Sequence, residues 1–160
     1  MIQRIQSLFL LIAVGFLSLL YFFPLATIQL RFGNIPVEIN GFVQGAELSD
    51  FSATKIWFAA FTIVLSAVIL LLAGVVLSYK NRRRQLRLCT IAFFLNTAFI
   101  LLLFLGLEQV TSLVDPSTKD IPISYQWVFY MPLASLILIN MAMRRIRKDE
   151  ALVRESDRLR

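Results

Sequence analysis

Side chains able to trade a proton, attack an electrophile or hold a metal are scarce in this chain. It contains no His and one Cys, Cys89. Without imidazole, the usual general base near neutral pH and the commonest metal ligand are both missing. Cys89 stands alone in a long apolar run. A disulfide oxidase needs a cysteine pair, so that activity is excluded on count, and the thiol reads as a small buried residue. Glu108, Asp115 and Asp120 fall in one short segment. Their spacing fits no cation-binding loop, and they read as a solvated acidic stretch. There is no Gly-rich phosphate cradle. No cofactor or metal ligand set follows from these residues, and the chain reads as non-enzymatic.

What the apolar runs do carry is uncharged polarity. Asn96 and Thr97 lie at the middle of one run and Asn140 near the end of another. Thr62 and Ser66 share a helical face, Gly15 and Ser18 lie close together, and Gly74 and Ser78 form a small-x-x-x-small pair. Such residues let helices approach and bond across an interface. Asn96, Thr97, Asn140, Ser66, Gly74 and Ser78 are therefore expected to mediate helix packing or contact with a partner. A mid-run Asn must find a hydrogen-bond partner, because an unpaired amide in an apolar medium is costly. The alternative is that Asn96, Thr97 and Asn140 line a path through a small oligomeric channel or carrier.

The elements that position these residues follow from where charge is missing. Uncharged stretches of 26, 24, 20 and 23 residues separate Arg4 from Arg31, Lys55 from Lys80, Arg87 from Glu108, and Asp120 from Arg144. About 20 apolar residues in a helix cross a hydrocarbon layer of ~30 Å. A charge at the centre of such a span costs roughly 2.5–3.5 kcal/mol, so uninterrupted gaps are what lipid selects. Backbone groups in lipid must bond internally, which makes each stretch a helix. Composition agrees: 58% of residues are hydrophobic and 16% charged, with a mean hydropathy of +0.75. A soluble enzyme, a disordered chain and a disulfide scaffold are excluded. The expected fold is an all-α integral membrane protein. It is a single membrane domain over 1–160, with transmembrane helices at about 5–26, 56–79, 88–107 and 123–143. The first is expected to be a retained anchor, since its uncharged run exceeds a signal-peptide core and no A-x-A site ends it.

Positive charge orients the bundle. Thirteen of the 16 Lys and Arg residues fall at the N-terminal end, in the 80–87 loop and in the 144–160 tail, and only Arg31, Lys55 and Lys119 on the other side. The positive-inside rule puts both termini and the loop in the cytoplasm of a cell inner membrane. Arg82, Arg83, Arg84, Arg87, Arg144, Arg145, Arg147 and Lys148 are expected to meet lipid headgroups or a partner. Tyr21, Phe22 and Phe23, Trp57 and Phe58, and Tyr125, Trp127 and Tyr130 mark the outer headgroup level, and Tyr79 the inner.

The exterior segments are 27–55 and 108–122. In the first, Thr27–Phe32 and Ile35–Ile39 flank Gly33-Asn34, the pattern of a tight β-hairpin between helices 1 and 2. Pro36 must face away from the partner strand, and Asn40-Gly41 and Gly45 signal further turns. Asp115-Pro116-Ser117 reads as a turn in the second segment. After Pro132 no Gly or Pro stops the last helix, so it continues into the tail. There Glu150 and Arg154 are favourably four apart, and Ile146, Leu152, Val153 and Leu159 form a narrow apolar stripe.

The opening Met1-Ile2-Gln3-Arg4-Ile5-Gln6-Ser7-Leu8-Phe9-Leu10-Leu11 and the closing Ile146-Arg147-Lys148-Asp149-Glu150-Ala151-Leu152-Val153-Arg154 through Asp157-Arg158-Leu159-Arg160 resemble an uncharacterised family of four-span inner-membrane proteins of the Bacteroidota. The resemblance covers the whole chain in layout and is specific at the two ends. It implies location and topology and carries no catalytic residues. The functional expectation is a non-enzymatic accessory or scaffold subunit of a cell-envelope complex, with protein export or membrane assembly suggested by context. Its partners would be membrane lipids and other membrane proteins, and no specific nucleic acid. A further alternative is a lipid-binding protein using the basic cytoplasmic face.

Overall fold

The computed structural model describes residues 2–30, 33–42, 52–78, 81–114 and 123–158. It is mostly helical, with four α-helices: α1 (Ile2–Ser18), α2 (Ser52–Leu77), α3 (Arg82–Val114) and α4 (Met131–Arg158). A 3-10 turn at Leu19–Tyr21 prolongs α1, and another at Trp127–Tyr130 leads into α4. Helix ends follow from sequence. Pro24 biases Phe23 away from helical torsions, so α1 cannot run on to residue 26. Asn81 caps α3, its Oδ1 accepting the Arg84 N–H at 3.2 Å. Pro132 occupies the first turn of α4, where a missing N–H is harmless.

The helices pack in the order α1–α2–α3–α4, with α4 closing on α1. Three stretches, Thr54–Leu77, Arg84–Ser112 and Trp127–Ala151, are long and apolar enough to cross a membrane; the apolar stretch of α1, Gln6–Tyr21, is shorter. Each helix turns one apolar face inward, through Leu10, Ala13 and Leu17, through Phe61, Leu65, Val68 and Leu72, through Ala92, Phe99 and Leu103, and through Ile139 and Ala142.

The expected hairpin is present but belongs to a larger sheet, and its turn is displaced. β1 (Ala26–Leu30), β2 (Gly33–Glu38), β3 (Gly41–Phe42) and β4 (Ile123–Tyr125) pair antiparallel in the order β3-β2-β1-β4. Leu30 pairs with Gly33 and Gln29 with Asn34, so Gly33 and Asn34 open the second strand instead of forming the turn. The described β3 pairing reaches only Val37 and Glu38. Pro36 therefore lies beyond the doubly paired stretch, where a missing donor is tolerated. The β2–β3 turn is Ile39-Asn40, between the paired Glu38 and Gly41, so Gly41 opens β3, at φ 150°, a torsion L-residues avoid. The last expected helix does not begin at 123: Ile123–Tyr125 is the strand that pairs with β1. Gln126 N–H then bonds Leu25 O at 2.9 Å. The two segments expected outside the membrane are thus one unit. Its inner face (Leu25, Ala26, Ile28, Val37, Ile39) is buried. Its outer face is polar, with Gln29 bonding Ser124 and Gln126 bonding Thr27.

At the other end α4 runs on to Arg158, as the missing breakers predict. Ile146 is buried; the side chains of 152 and 153, and residue 159, lie outside the described set. So do Gly45, Tyr79, Asp115-Pro116-Ser117, Lys119 and Asp120.

Candidate functional site

Asn96, on the inner face of α3, is fully buried. Its Nδ2 donates to Pro132 O at 3.1 Å and to Ser135 Oγ at 3.0 Å. Ser135 Oγ in turn donates to Pro132 O at 2.8 Å. A carbonyl accepts only, so the Pro132 oxygen fixes which way the amide points. One side chain on α3 thereby holds the first turn of α4. Among the described residues Asn96 Oδ1 has no partner. Thr97 is satisfied by its own helix, through Phe93 O at 2.9 Å, and Asn140 is half-buried two turns further along α4. The three therefore do not converge: the bonds of Asn96 and Thr97 run to different elements.

The α1–α2 seam carries a second polar contact. Tyr21 Oη lies 2.8 Å from Ser66 Oγ and donates to Thr62 O at 3.4 Å. Ser66 also bonds Thr62 O at 2.6 Å. Thr62 Oγ1 lies 2.9 Å from Phe58 O and 3.1 Å from Asn40 Oδ1, linking α2 to the β2–β3 turn. Gly74 and Ser78 behave differently. A Cβ on Gly74 would meet nothing within 4 Å, and Ser78 Oγ bonds Gly74 O of the same helix at 2.7 Å. The pair brings no helix close among the described residues, and neither does Gly15, where a Cβ would also find open space.

The glycine that does admit a neighbour is Gly106 of α3. A Cβ there would lie 2.5 Å from two ring atoms of Phe61 and 3.0 Å from Trp57. Sequence reasoning passed over it, as it did Ser135 and the tie from Gln6 of α1 to the Asp149 carboxylate of α4. A signal existed for Gly106: it is the lone glycine of a 20-residue uncharged run. Gln6 and Gln85 are also buried polar residues near the charged end.

That end gathers the cations. Thr90 Oγ1 lies 3.8 Å from Met143 Sδ, so α3 and α4 run antiparallel with their charged ends level. Arg84, Arg87, Arg144, Arg145, Arg147 and Lys148 are all exposed; the side chains of Arg82 and Arg83 lie outside the described set. Cys89 is fully buried. Among the described residues no group of His, Cys, Asp or Glu could hold a metal.

Aromatic side chains collect at the opposite end. Phe129 sits 4.9 Å from Phe104 and 4.6 Å from Tyr125, and Phe23 sits 5.3 Å from Trp127. Phe22, Phe23, Tyr125, Trp127 and Tyr130 are exposed around the base of the sheet.

Fold and surfaces together define a class: a helical protein with three helices apt to cross a membrane, polar ties inside its helix seams and a small sheet at one end. Within it, the chain belongs to the family described as a domain of unknown function (DUF4293), whose model matches residues 2–159. No curated protein matches the chain.

Proposed function

We propose that the protein is a four-span inner-membrane bundle, with both ends and the 80–87 loop in the cytoplasm, acting as a non-enzymatic accessory or scaffold subunit of a cell-envelope complex. The observation that carries the membrane part is the outward surface. Leu8 and Leu11 on α1, Ile63 and Leu70 on α2, Phe94 and Leu101 on α3, and Ile137 on α4 are each more than half exposed. A soluble helix would place polar residues there. α1 is included as a span because Ile2–Tyr21, 17 α-helical and three 3-10 residues, rises about 32 Å at standard pitch. The basic ends and the aromatic ends then fall on opposite sides; the positive-inside rule assigns the basic side to the cytoplasm, and an aromatic belt fits either interface.

The scaffold part rests on where polarity is placed. Asn96, Ser66, Thr62 and Tyr21 hold helices and turns together, and the outer sheet offers a hydrogen-bonding face of Thr, Gln and Ser. Such surfaces contact; they do not transform. Affinity purification in mild detergent after crosslinking tests this. A reproducible membrane-protein neighbour is expected. Recovery of a lone monomer across detergents would refute the subunit reading. A second reading, lipid binding at the basic face, is favoured by one feature: the exposed arginines continue the lipid-facing stripes of α3 and α4.

A further inference from the structure

We propose that the charged end of the α3–α4 seam is a binding site for one anionic phospholipid, with Arg87, Arg144 and Arg147 on the headgroup phosphate and the apolar faces above them against the acyl chains. The inference rests on the reading of these helices as membrane spans and deepens it from a diffuse basic surface to a seam.

The contact of Thr90 with Met143 marks where the two helices touch. One turn toward the charged end from Thr90 is Arg87; beside Met143 is Arg144, and one turn on is Arg147. All three are exposed. Residues three or four apart share a helix face, so Arg87 continues the exposed stripe of Ile91 and Phe94 on α3, and Arg144 that of Ile137 and Met141 on α4. The seam therefore offers two apolar walls ending in guanidinium groups, at the depth where a phosphate lies. Guanidinium binds phosphate through paired N–H donors, and its aliphatic stem covers apolar surface on the way. A zwitterionic headgroup carries its own cation and is matched less well.

Two carboxylates follow these arginines on α4, and Glu150, three residues after Arg147 and half-buried, shares its face and offsets part of its charge. Asp149 accepts from Gln6 of α1, and Arg145, four residues before it, shares that α1-facing side. Arg147, four residues after Met143, lies on the α3 side. The same helix thus supplies a seam arginine and a control arginine of equal charge, both exposed.

The test is native mass spectrometry of the full chain released from detergent with equal amounts of phosphatidylglycerol and phosphatidylcholine. The wild type is expected to retain phosphatidylglycerol preferentially. Arg87→Gln, Arg144→Gln and Arg147→Gln each lower that retention about fivefold, while Arg145→Gln lowers it less than about twofold, one cation near a phosphate layer setting the scale. Arg→Lys at the seam positions keeps the charge and restores part of the binding, which separates the effect from misfolding. Equal retention of the two lipids, or a loss at Arg145→Gln as large as at Arg147→Gln, would overturn the site. Displacement of bound lipid by millimolar glycerol 3-phosphate would also overturn it, because the ligand would then be a free phosphate ester. Alkaline carbonate extraction separates the two levels. Release of the chain into the supernatant removes the membrane reading itself, whereas retention without lipid preference removes only the seam.

Discussion

Gly106 is the residue at which α3 makes room for α2. Phe61 is fully buried, so its ring has nowhere to retreat from a new methyl group 2.5 Å away. Overpacking of this kind costs about 1–3 kcal/mol, more than the ~1 kcal/mol of helix propensity that Gly→Ala returns. Gly106→Ala is expected to lower the midpoint of thermal unfolding in detergent, followed by helical circular dichroism. Gly74→Ala meets nothing and keeps only the propensity gain, so its midpoint should hold or rise. Asn96 sets a second test at this scale. Interhelical hydrogen bonds in membranes average ~0.6 kcal/mol, and replacing the amide by Leu also removes the unpaired Oδ1. Asn96→Leu should therefore cost less than about 1.5 kcal/mol by the same count. Asn96→Asp puts a carboxylate against the Pro132 carbonyl in a fully buried position and should destabilise far more. If Leu proved the worse of the two, the Asn96–Pro132 bond would not be what holds α4.

Among the elements, β4 decides the shape of the sheet end. Three residues long and nearly a hundred positions from its partner, it ties the segment before α4 to the segment after α1. Thr27 and Ser124 are directly paired on the outer face, and paired antiparallel positions lie within disulfide reach at ~4.5–5.5 Å between Cα atoms. In a Cys89→Ala background, Thr27→Cys with Ser124→Cys should oxidise to an intramolecular disulfide under a mild oxidant, seen by peptide mapping without reductant. Asn34→Cys with Ser124→Cys should not, because β1 lies between those strands. The helices themselves were legible, since lipid punishes charge and leaves its record as uncharged runs. The turn was not. A hairpin closed at Gly33-Asn34 would differ from the observed register by an even number of residues, and an even shift keeps Ile28, Val37 and Ile39 on the same face. Alternation could not choose between the two, and pairing of Ala26 with both Val37 and Tyr125 did. β4 was illegible because three residues carry no periodicity. The Gly74–Ser78 spacing looked like a packing motif, yet whether a helix accepts it depends on the neighbour's bulk, which no local pattern records. Gly106 was used instead because Phe61 and Trp57 present their rings to it.

For the whole molecule, the helix lengths set how it would sit in a bilayer. α1 and α4 stop short at one end, at Tyr21 and Trp127, where Phe104 of α3 stands level with Phe129. α3 continues to Val114, ten residues past Phe104, or about 15 Å of helix. The sheet fills the resulting step, its apolar face on the helices and its polar face outward, ringed by Phe22, Phe23, Trp127 and Tyr130. Those rings prefer the headgroup level, so the base of the sheet should rest in one leaflet's interface with Gln29 in water, and Ala151 in water on the other side. Both positions are exposed. In the Cys89→Ala background, Gln29→Cys should react with a membrane-impermeant maleimide applied to intact cells with the outer barrier opened, and Ala151→Cys should react only after the inner membrane is permeabilised. Reversed labelling would invert the proposed orientation. Labelling of both from one side would mean an even number of crossings between them, whereas the three long helices α2, α3 and α4 that separate Gln29 from Ala151 require opposite sides if all three cross; that outcome would therefore count directly against one of those spans.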